Sequence, residues 1–173
     1  MKKNIVVYLI VAVLFAGIGI FFANTRVAPE TPDSGAVGKL LSQVMADSGG
    51  QQQQLGQWKG KTLIVNFWAT WCAPCVEEMP ELSALQQELD ASGVRILGIG
   101  IDSPSNIAEF ARKYKISYPL YIGGLNGTEL SRELGNRGGG LPFTVLVGRD
   151  GQVKKTYLGR LKMDELRKDL ASL

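Results

Sequence analysis

The chain has 173 residues, with 19 basic and 16 acidic side chains, a formal net charge of +3, two cysteines and no histidine. The basic residues alternate with acidic ones and form no stretch interleaved with aromatic residues, so nothing in the sequence indicates nucleic-acid binding. A structural zinc site usually needs four nitrogen or sulfur ligands, and two cysteines without histidine therefore argue against zinc. We expect no metal site.

The N-terminal segment predicts a membrane anchor. After two lysines, the nineteen residues 5–23 carry no charge. At about 1.5 Å per residue they span roughly 28 Å, close to the roughly 30 Å core of a bilayer. The lysines place the N-terminus in the cytoplasm and the rest of the chain outside it. A cleaved signal peptide is the alternative, but its apolar region is usually shorter and ends at small residues, whereas Phe21 and Phe22 end this one. We therefore predict a single-pass signal anchor over residues 1–23.

The remainder predicts a linker and one domain. Residues 24–38 are rich in Pro, Gly, Ser and Thr without an apolar period, which is typical of a flexible linker. Residues 39–173 have the length of one domain with a single core. Its first part, up to Trp58, predicts a short hairpin that turns at residues 47–50, with a polar loop at the four glutamines as the alternative. An exported domain meets conditions in which disulfides form and persist, so a dithiol there needs a partner that controls its redox state.

Both cysteines lie at a predicted strand-to-helix junction. Residues 62–68 are a nearly continuous apolar run, typical of a strand buried on both faces. Cys72 and Cys75 follow, and acids and leucines at helical spacing continue to about residue 91. At the helix N-terminus, Cys72 would face free backbone N–H groups and the positive end of the helix dipole, which favour the thiolate. Cys-x-x-Cys in this context indicates a redox-active pair.

Two other roles of a cysteine pair fit this sequence less well. A purely structural disulfide stays open, although so short a loop constrains the unfolded chain little. Haem attachment would need histidine directly after the second cysteine, where Val76 stands.

The rest of the chain predicts alternating strands and helices. Residues 94–101 predict a second buried strand, and Ser103 and Pro104 begin the next helix. The later predicted elements are a strand at 118–122, a helix at 128–134, a glycine-rich loop at 135–140, an antiparallel strand pair at 143–147 and 153–158, and a helix at 164–170. This order predicts an α/β domain with a mixed sheet covered on both faces.

Several separated segments resemble the thioredoxin superfamily. Residues 65–75, with Pro80 five positions beyond the second cysteine, are most similar to the membrane-anchored TlpA/ResA-like thiol–disulfide oxidoreductases of bacteria. Residues 139–144 resemble the cis-proline loop of that family, and residues 148–151 resemble the hairpin after it. Residues 94–118 resemble the strand–helix insertion that separates this branch from plain thioredoxins.

This resemblance covers residues 60–173 and implies a thioredoxin-like fold with a central mixed sheet flanked by helices, here preceded by the transmembrane helix. The chain departs from the family before Trp58, where a polyglutamine stretch replaces the usual strand and turn. Thioredoxin carries a buried aspartate at the position of Asn66. The TlpA/ResA branch resembles this chain, and not thioredoxin, at that position.

The two thiols are expected to have different roles. Cys72 is the attacking thiolate, because it lies at the helix N-terminus and at the more exposed position, and Cys75 is the resolving thiol. The resemblance implies that Glu78, three residues after Cys75, accepts its proton or tunes the acidity of the thiols. An ordinary solvated helix carboxylate is the alternative for Glu78.

Substrate contacts and redox tuning are expected around this pair. Leu141-Pro142 is expected to be a cis peptide in a loop facing the dithiol, with the Leu141 backbone pairing with substrate; a trans turn is the alternative. Trp71 is expected to border the dithiol as an apolar platform. Ala73 and Pro74, together with Leu141, are expected to set the potential.

The resemblance implies a reductant that acts on exported clients, of the apocytochrome c or copper-site type, through its redox-active disulfide and without another cofactor. An integral-membrane thiol carrier would supply electrons, and the domain would face the periplasm from the bacterial inner membrane. A disulfide-forming oxidant and a Cu(I)-binding delivery module are the alternatives. A thiol peroxidase is disfavoured, because Ala69 stands where its motif requires threonine.

Overall fold

The computed structural model describes residues 34–173. The predicted membrane anchor and residues 24–33 of the predicted linker lie outside this range. Among the described helices, none has the length and apolar character needed to cross a bilayer.

Five helices and seven strands are observed in this part of the chain. The helices are α1 (Ser34–Leu41), α2 (Ala73–Leu89), α3 (Pro104–Tyr114), α4 (Gly124–Glu133) and α5 (Met163–Ala171). The strands are β1 (Val44–Ala46), β2 (Gln52–Gln54), β3 (Thr62–Trp68), β4 (Val94–Gly100), β5 (Leu120–Ile122), β6 (Phe143–Val147) and β7 (Val153–Leu158). Short 3₁₀ turns follow β2 at Leu55–Trp58 and α2 at Asp90–Ser92.

The main sheet has five strands in the order β5-β4-β3-β6-β7. Strands β3, β4 and β5 are parallel, whereas β6 pairs antiparallel with both β3 and β7. Every residue of β3 and β6 is buried, as expected for central strands that are covered on both faces. The predicted α/β fold with a mixed sheet is therefore confirmed.

Alternate residues of β3 pack into two separate hydrophobic clusters. Leu63, Val65 and Phe67 belong to the cluster that includes side chains from α1 and α4. Ile64 and Trp68 belong to the other cluster, to which α2, α3 and α5 contribute. Because successive side chains of a strand point to opposite faces, these clusters are the two covered faces of the sheet. The second cluster contains both cysteines.

The N-terminal part of the domain differs from expectation in one respect. Strands β1 and β2 form the predicted hairpin, with Val44 opposite Gln54. Helix α1, however, begins inside the segment predicted as linker, so residues 34–38 are helical. Composition alone suggested a linker, but Val37 and Leu40 lie at helical spacing and are 1% and 0% exposed. Their burial on the sheet supplies the stabilisation that so short a helix lacks by itself.

Candidate active site

Cys72 and Cys75 form a disulfide at the start of α2. Their sulfur atoms are 2.05 Å apart and their Cα atoms 5.3 Å apart. Cys72 is 6% exposed and Cys75 is fully buried, so the expected order of exposure holds although both side chains are largely covered. Within residues 34–173, no group of three or more His, Cys, Asp or Glu side chains is arranged to hold a metal ion.

The local sequence explains why a helix begins at this point. Cys72 has extended backbone angles and is the N-cap of α2, with Ala73 and Pro74 exposed in the first turn. Proline is tolerated there because a first-turn N–H has no helical partner in any case. The remaining unpaired N–H groups and the helix dipole favour negative charge at this end, where Cys72 lies.

A carboxylate that the sequence analysis did not identify fixes the loop before Cys72. Asp102, which follows β4, accepts hydrogen bonds from the Thr70 hydroxyl and from the Thr70 backbone N–H at 3.1 Å. It also accepts from the Ser103 N–H at 2.7 Å and the Asn106 side chain at 2.8 Å. Burial alone would raise the pKa of Asp102, but these hydrogen bonds hold it below its usual value. The active-site loop is thus tied to the start of α3.

The loop before β6 contacts the hydrophobic cluster of the dithiol through Leu141. The Leu141-Pro142 peptide bond is cis, as expected. Leu141 is half-buried and packs against both hydrophobic clusters, one of which contains the two cysteines. On the approach to the proline, the Asn136 side-chain amide donates to the Gly140 carbonyl at 2.9 Å, and Gly139 has a φ of 66° that favours glycine.

Trp71 is the large apolar side chain directly before the N-cap cysteine. It is 70% exposed, whereas the Trp68 and Phe67 side chains are fully buried in the core. An exposed indole next to a reactive sulfur is an apolar surface that a partner can cover.

Glu78 is fully buried, in contrast to a solvated helix carboxylate. Its Oε1 accepts a hydrogen bond from the Asn66 side-chain amide at 2.8 Å, and its Oε2 accepts one from the Leu161 backbone N–H at 2.9 Å. Burial raises the pKa of Glu78 from 4.5 to about 7, although both hydrogen bonds and the charge of Arg160 lower it in part. Glu78 is therefore a carboxyl group that changes protonation near neutral pH.

The environment of Glu78 comes from three distant parts of the chain. Asn66 lies on β3, and its side-chain amide also donates to the Thr144 hydroxyl on β6 at 3.0 Å. Leu161 lies in the loop between β7 and α5, 83 residues from Glu78. Sequence spacing places Glu78 one turn from Cys75 on α2, but no sequence signal pointed to Thr144, Leu161 or the neighbouring Arg160 as its surroundings.

Comparisons with known proteins agree with this site. The Redoxin family profile matches residues 29–171. The thiol-disulfide oxidoreductase ResA of Geobacillus thermodenitrificans is 32% identical over 132 residues, which cover 75% of this chain and 73% of that protein. ResA of Bacillus cereus (strain ATCC 10987) is 27% identical over 175 residues, 100% of this chain and 99% of that protein.

Solved structures below 25% identity support the fold. A thiol:disulfide interchange protein of the thioredoxin family from Chlorobium tepidum has a TM-score of 0.68 at 24% identity, and the alignment covers 76% of this chain and 92% of that one. A secreted Mycobacterium tuberculosis disulfide oxidoreductase homologous to E. coli DsbE has a TM-score of 0.65 at 21% identity, with 78% and 98% covered. The fold around the dithiol is thus thioredoxin-like.

Proposed function

The chain belongs to the Redoxin family and is a thiol–disulfide oxidoreductase, and from that premise we propose that it reduces disulfides in exported client proteins. On this proposal the domain is held at the outer face of the bacterial inner membrane by residues 1–23. An integral-membrane thiol donor keeps it reduced. The uncharged length of the N-terminal segment and the likeness to ResA proteins support this arrangement.

The reaction has two exchange steps. In the first, the Cys72 thiolate attacks one sulfur of the client disulfide, a new sulfur–sulfur bond joins client and enzyme, and the other client sulfur leaves as a thiolate. In the second, Cys75 loses its proton and attacks Cys72, which releases the remaining client sulfur as a thiolate. The client gains two electrons, and the enzyme is left with the Cys72–Cys75 disulfide.

The buried carboxylate beside Cys75 is the observation that supports this mechanism most directly. Cys75 is fully buried, so its proton needs an acceptor inside the protein. Glu78 lies one turn along the same helix, and its pKa of about 7 suits a group that accepts and returns a proton near neutral pH. We therefore assign Glu78 as the proton acceptor in the resolving step.

The charges near the two thiols support the proposed flow of electrons from the enzyme to its clients. A strong oxidant is one whose reduced form is stabilised, usually through a stabilised thiolate. Ala73 and Pro74, between the cysteines, contribute neither a charge nor a side-chain donor, and an ionised Glu78 opposes a thiolate on Cys75. Neither feature adds to the stabilisation that the helix N-terminus gives the Cys72 thiolate, so the reduced form lacks the extra stabilisation of a strong oxidant, which supports the reductant direction.

Client recognition is proposed to use the apolar surface around the dithiol. Trp71 is 70% and Leu158 is 68% exposed, and Leu158 lies against Gly140 in the cis-proline loop. An extended client segment would pair with the Leu141 backbone and contact these apolar side chains. Apocytochrome c and copper-site proteins, which carry exposed cysteine pairs, are the client class that the ResA likeness favours.

Mixed-disulfide trapping in membranes of cells that produce the full-length chain tests this proposal. Cys75→Ser cannot resolve, so we expect exported proteins to stay attached to Cys72 through a bond that dithiothreitol breaks. Cys72→Ser is the matched control and should capture none. The reduction potential of the wild-type protein should lie nearer the about −270 mV of thioredoxin than the about −120 mV of DsbA, and a value at the DsbA end would refute the reductase direction.

A further inference from the structure

A surface arginine forms ion pairs with the part of helix α2 that carries the buried Glu78. Arg160 lies in the loop between β7 and α5, and its guanidinium binds two carboxylates of α2. Its Nη1 is 3.0 Å from the Glu77 carboxylate, and its Nη2 is 2.8 Å from the Glu81 carboxylate. These glutamates are four residues apart, so they lie on one side of the helix and flank Glu78 in sequence. The arginine thereby attaches the loop to α2.

The residue after this arginine supplies the backbone donor that reaches Glu78. The Leu161 N–H donates to the Glu78 carboxylate at 2.9 Å, and the Leu161 side chain is 5% exposed within the core cluster of the cysteines. The loop therefore has an ionic attachment on its outer side and a hydrogen bond on its inner side, one residue apart. Both contacts therefore constrain the same short stretch of backbone.

We propose that Arg160 is a positioning residue for Glu78, holding the loop against α2 so that the Leu161 N–H stays on the carboxylate during the resolving step. This inference rests on the proton-acceptor role proposed above for Glu78. Arg160 touches neither sulfur nor client in this arrangement. It acts through the loop and through its charge.

The charged groups around Glu78 determine the sign of the effect. Arg160 and the Leu161 hydrogen bond both lower the pKa of Glu78, whereas the charge of Glu81 raises it. Within residues 34–173, the buried phenol of Tyr118 also interacts with Glu78, and it is neutral because burial holds its pKa well above 10. Loss of Arg160 removes a cation, leaves Glu81 uncompensated and loosens one donor. All three changes favour the protonated form of Glu78.

The chain contains a matched control for this attachment. Arg167 on α5 binds Glu88 on α2 through both of its terminal nitrogens, with Nη2 at 3.1 Å from the carboxylate. The Arg167 side chain is 46% exposed and that of Arg160 is 50% exposed. Glu88 lies ten residues beyond Glu78, nearly three helical turns away. Loss of Arg167 thus removes a similar surface ion pair between the same helix and the C-terminal segment without affecting Glu78.

The test measures the resolving step in the purified full-length chain. Reduced protein is mixed with oxidised glutathione, and the lifetime of the mixed disulfide between Cys72 and glutathione is followed by acid quenching and mass spectrometry from pH 5 to 9. For Arg160→Gln we expect the midpoint of the pH profile to rise by about half a unit, which slows resolution about threefold below the midpoint. Arg167→Gln should keep the wild-type midpoint. Amide hydrogen exchange at Leu161 should accelerate in Arg160→Gln only.

The possible outcomes separate this inference from the proposed function. If Glu78→Gln keeps the wild-type pH profile, the role of Glu78 fails, and the inference fails with it. If Glu78→Gln loses the inflection but Arg160→Gln matches Arg167→Gln, only the positioning role is overturned. A shifted midpoint with unchanged exchange at Leu161 also overturns it, because the arginine would then act by charge alone.

Discussion

Substituting glutamine for Glu78 should remove a large pH dependence of stability. Burial raises the pKa of Glu78 from 4.5 to about 7 in the folded protein, whereas an unfolded chain keeps the ordinary value. Between these two pH values the unfolded state has lost its proton and the folded state retains it. The unfolded state therefore binds fewer protons, and stability falls as pH rises through this window. Below the window the stabilising contribution is complete, and above it the contribution is lost.

The size of this loss of stability follows from the shift in the pKa of Glu78. Each pKa unit corresponds to about 1.4 kcal/mol, so a shift of this size makes wild-type protein lose about 3 kcal/mol between about pH 4 and pH 8 through Glu78. Glutamine has no such dependence. It also turns its NH₂ group toward one of two donors, the Asn66 amide or the Leu161 N–H, at a cost of about 1–3 kcal/mol. That cost is the same at every pH, so it cancels when the variant-minus-wild-type difference is compared across pH.

Urea unfolding of the oxidised proteins from pH 4 to pH 8.5 measures this difference. We expect Glu78→Gln to gain about 3 kcal/mol relative to wild type across the range, with unchanged denaturant slopes. Glu88→Gln is the control on the same helix, because Arg167 lowers the pKa of Glu88 and its small effect has the opposite sign. A difference for Glu78→Gln that stays flat between pH 4.5 and 8 would show that Glu78 has an ordinary pKa and would refute the reasoning.

Three further substitutions probe the client surface, the core and the proton acceptor. Trp71→Ala should change the free energy of unfolding by less than about 0.5 kcal/mol, because the side chain is 70% exposed, and should slow reduction of a protein disulfide severalfold while leaving glutathione reduction unchanged. Gly98→Ala should lower the free energy of unfolding by about 1–3 kcal/mol in thermal or urea unfolding, because the added Cβ would lie 2.4 Å from Leu120 Cδ2. Gly138→Ala is the control and should have no such cost, because a Cβ at Gly138 meets open space. Asn66→Asp replaces a hydrogen-bond donor to Glu78 with a second carboxyl group. The pH midpoint of mixed-disulfide resolution should therefore rise by about one unit or more. An unchanged midpoint would mean that Asn66 does not contact Glu78 in solution.

The elements that local patterns specify could be predicted from the sequence. The buried strand at residues 62–68 follows from an uninterrupted apolar run, and the helix after it follows from the motif and the spacing of its leucines. The strand pair at 143–147 and 153–158 follows from the Asp-Gly turn between its strands. Each of these signals lies within about twenty consecutive residues, and the structure agrees with them to within a few residues.

The features that arise from tertiary packing could not be predicted in this way. Spacing places Glu78 next to Cys75 on a helix, but it does not distinguish a buried carboxylate from a solvated one, because Glu77 and Glu81 beside it are exposed. The burial depends on Leu161, which reaches the site from the far end of the domain. Helix α1 could not be predicted for a related reason, since Pro, Gly and Ser dominate the neighbouring sequence and tertiary contacts stabilise the helix.

The groups around Glu78 limit how far burial raises its pKa. A carboxyl group buried without partners would stay protonated at all physiological pH values, and it could then accept no proton from Cys75. The Asn66 amide, the Leu161 N–H and the charge of Arg160 each oppose the effect of burial, and the resulting pKa of about 7 is the value at which a proton acceptor works best at neutral pH. Removal of any one of these groups should therefore raise the pH midpoint of the resolving step. Removal of two groups should raise this midpoint further than removal of either one alone.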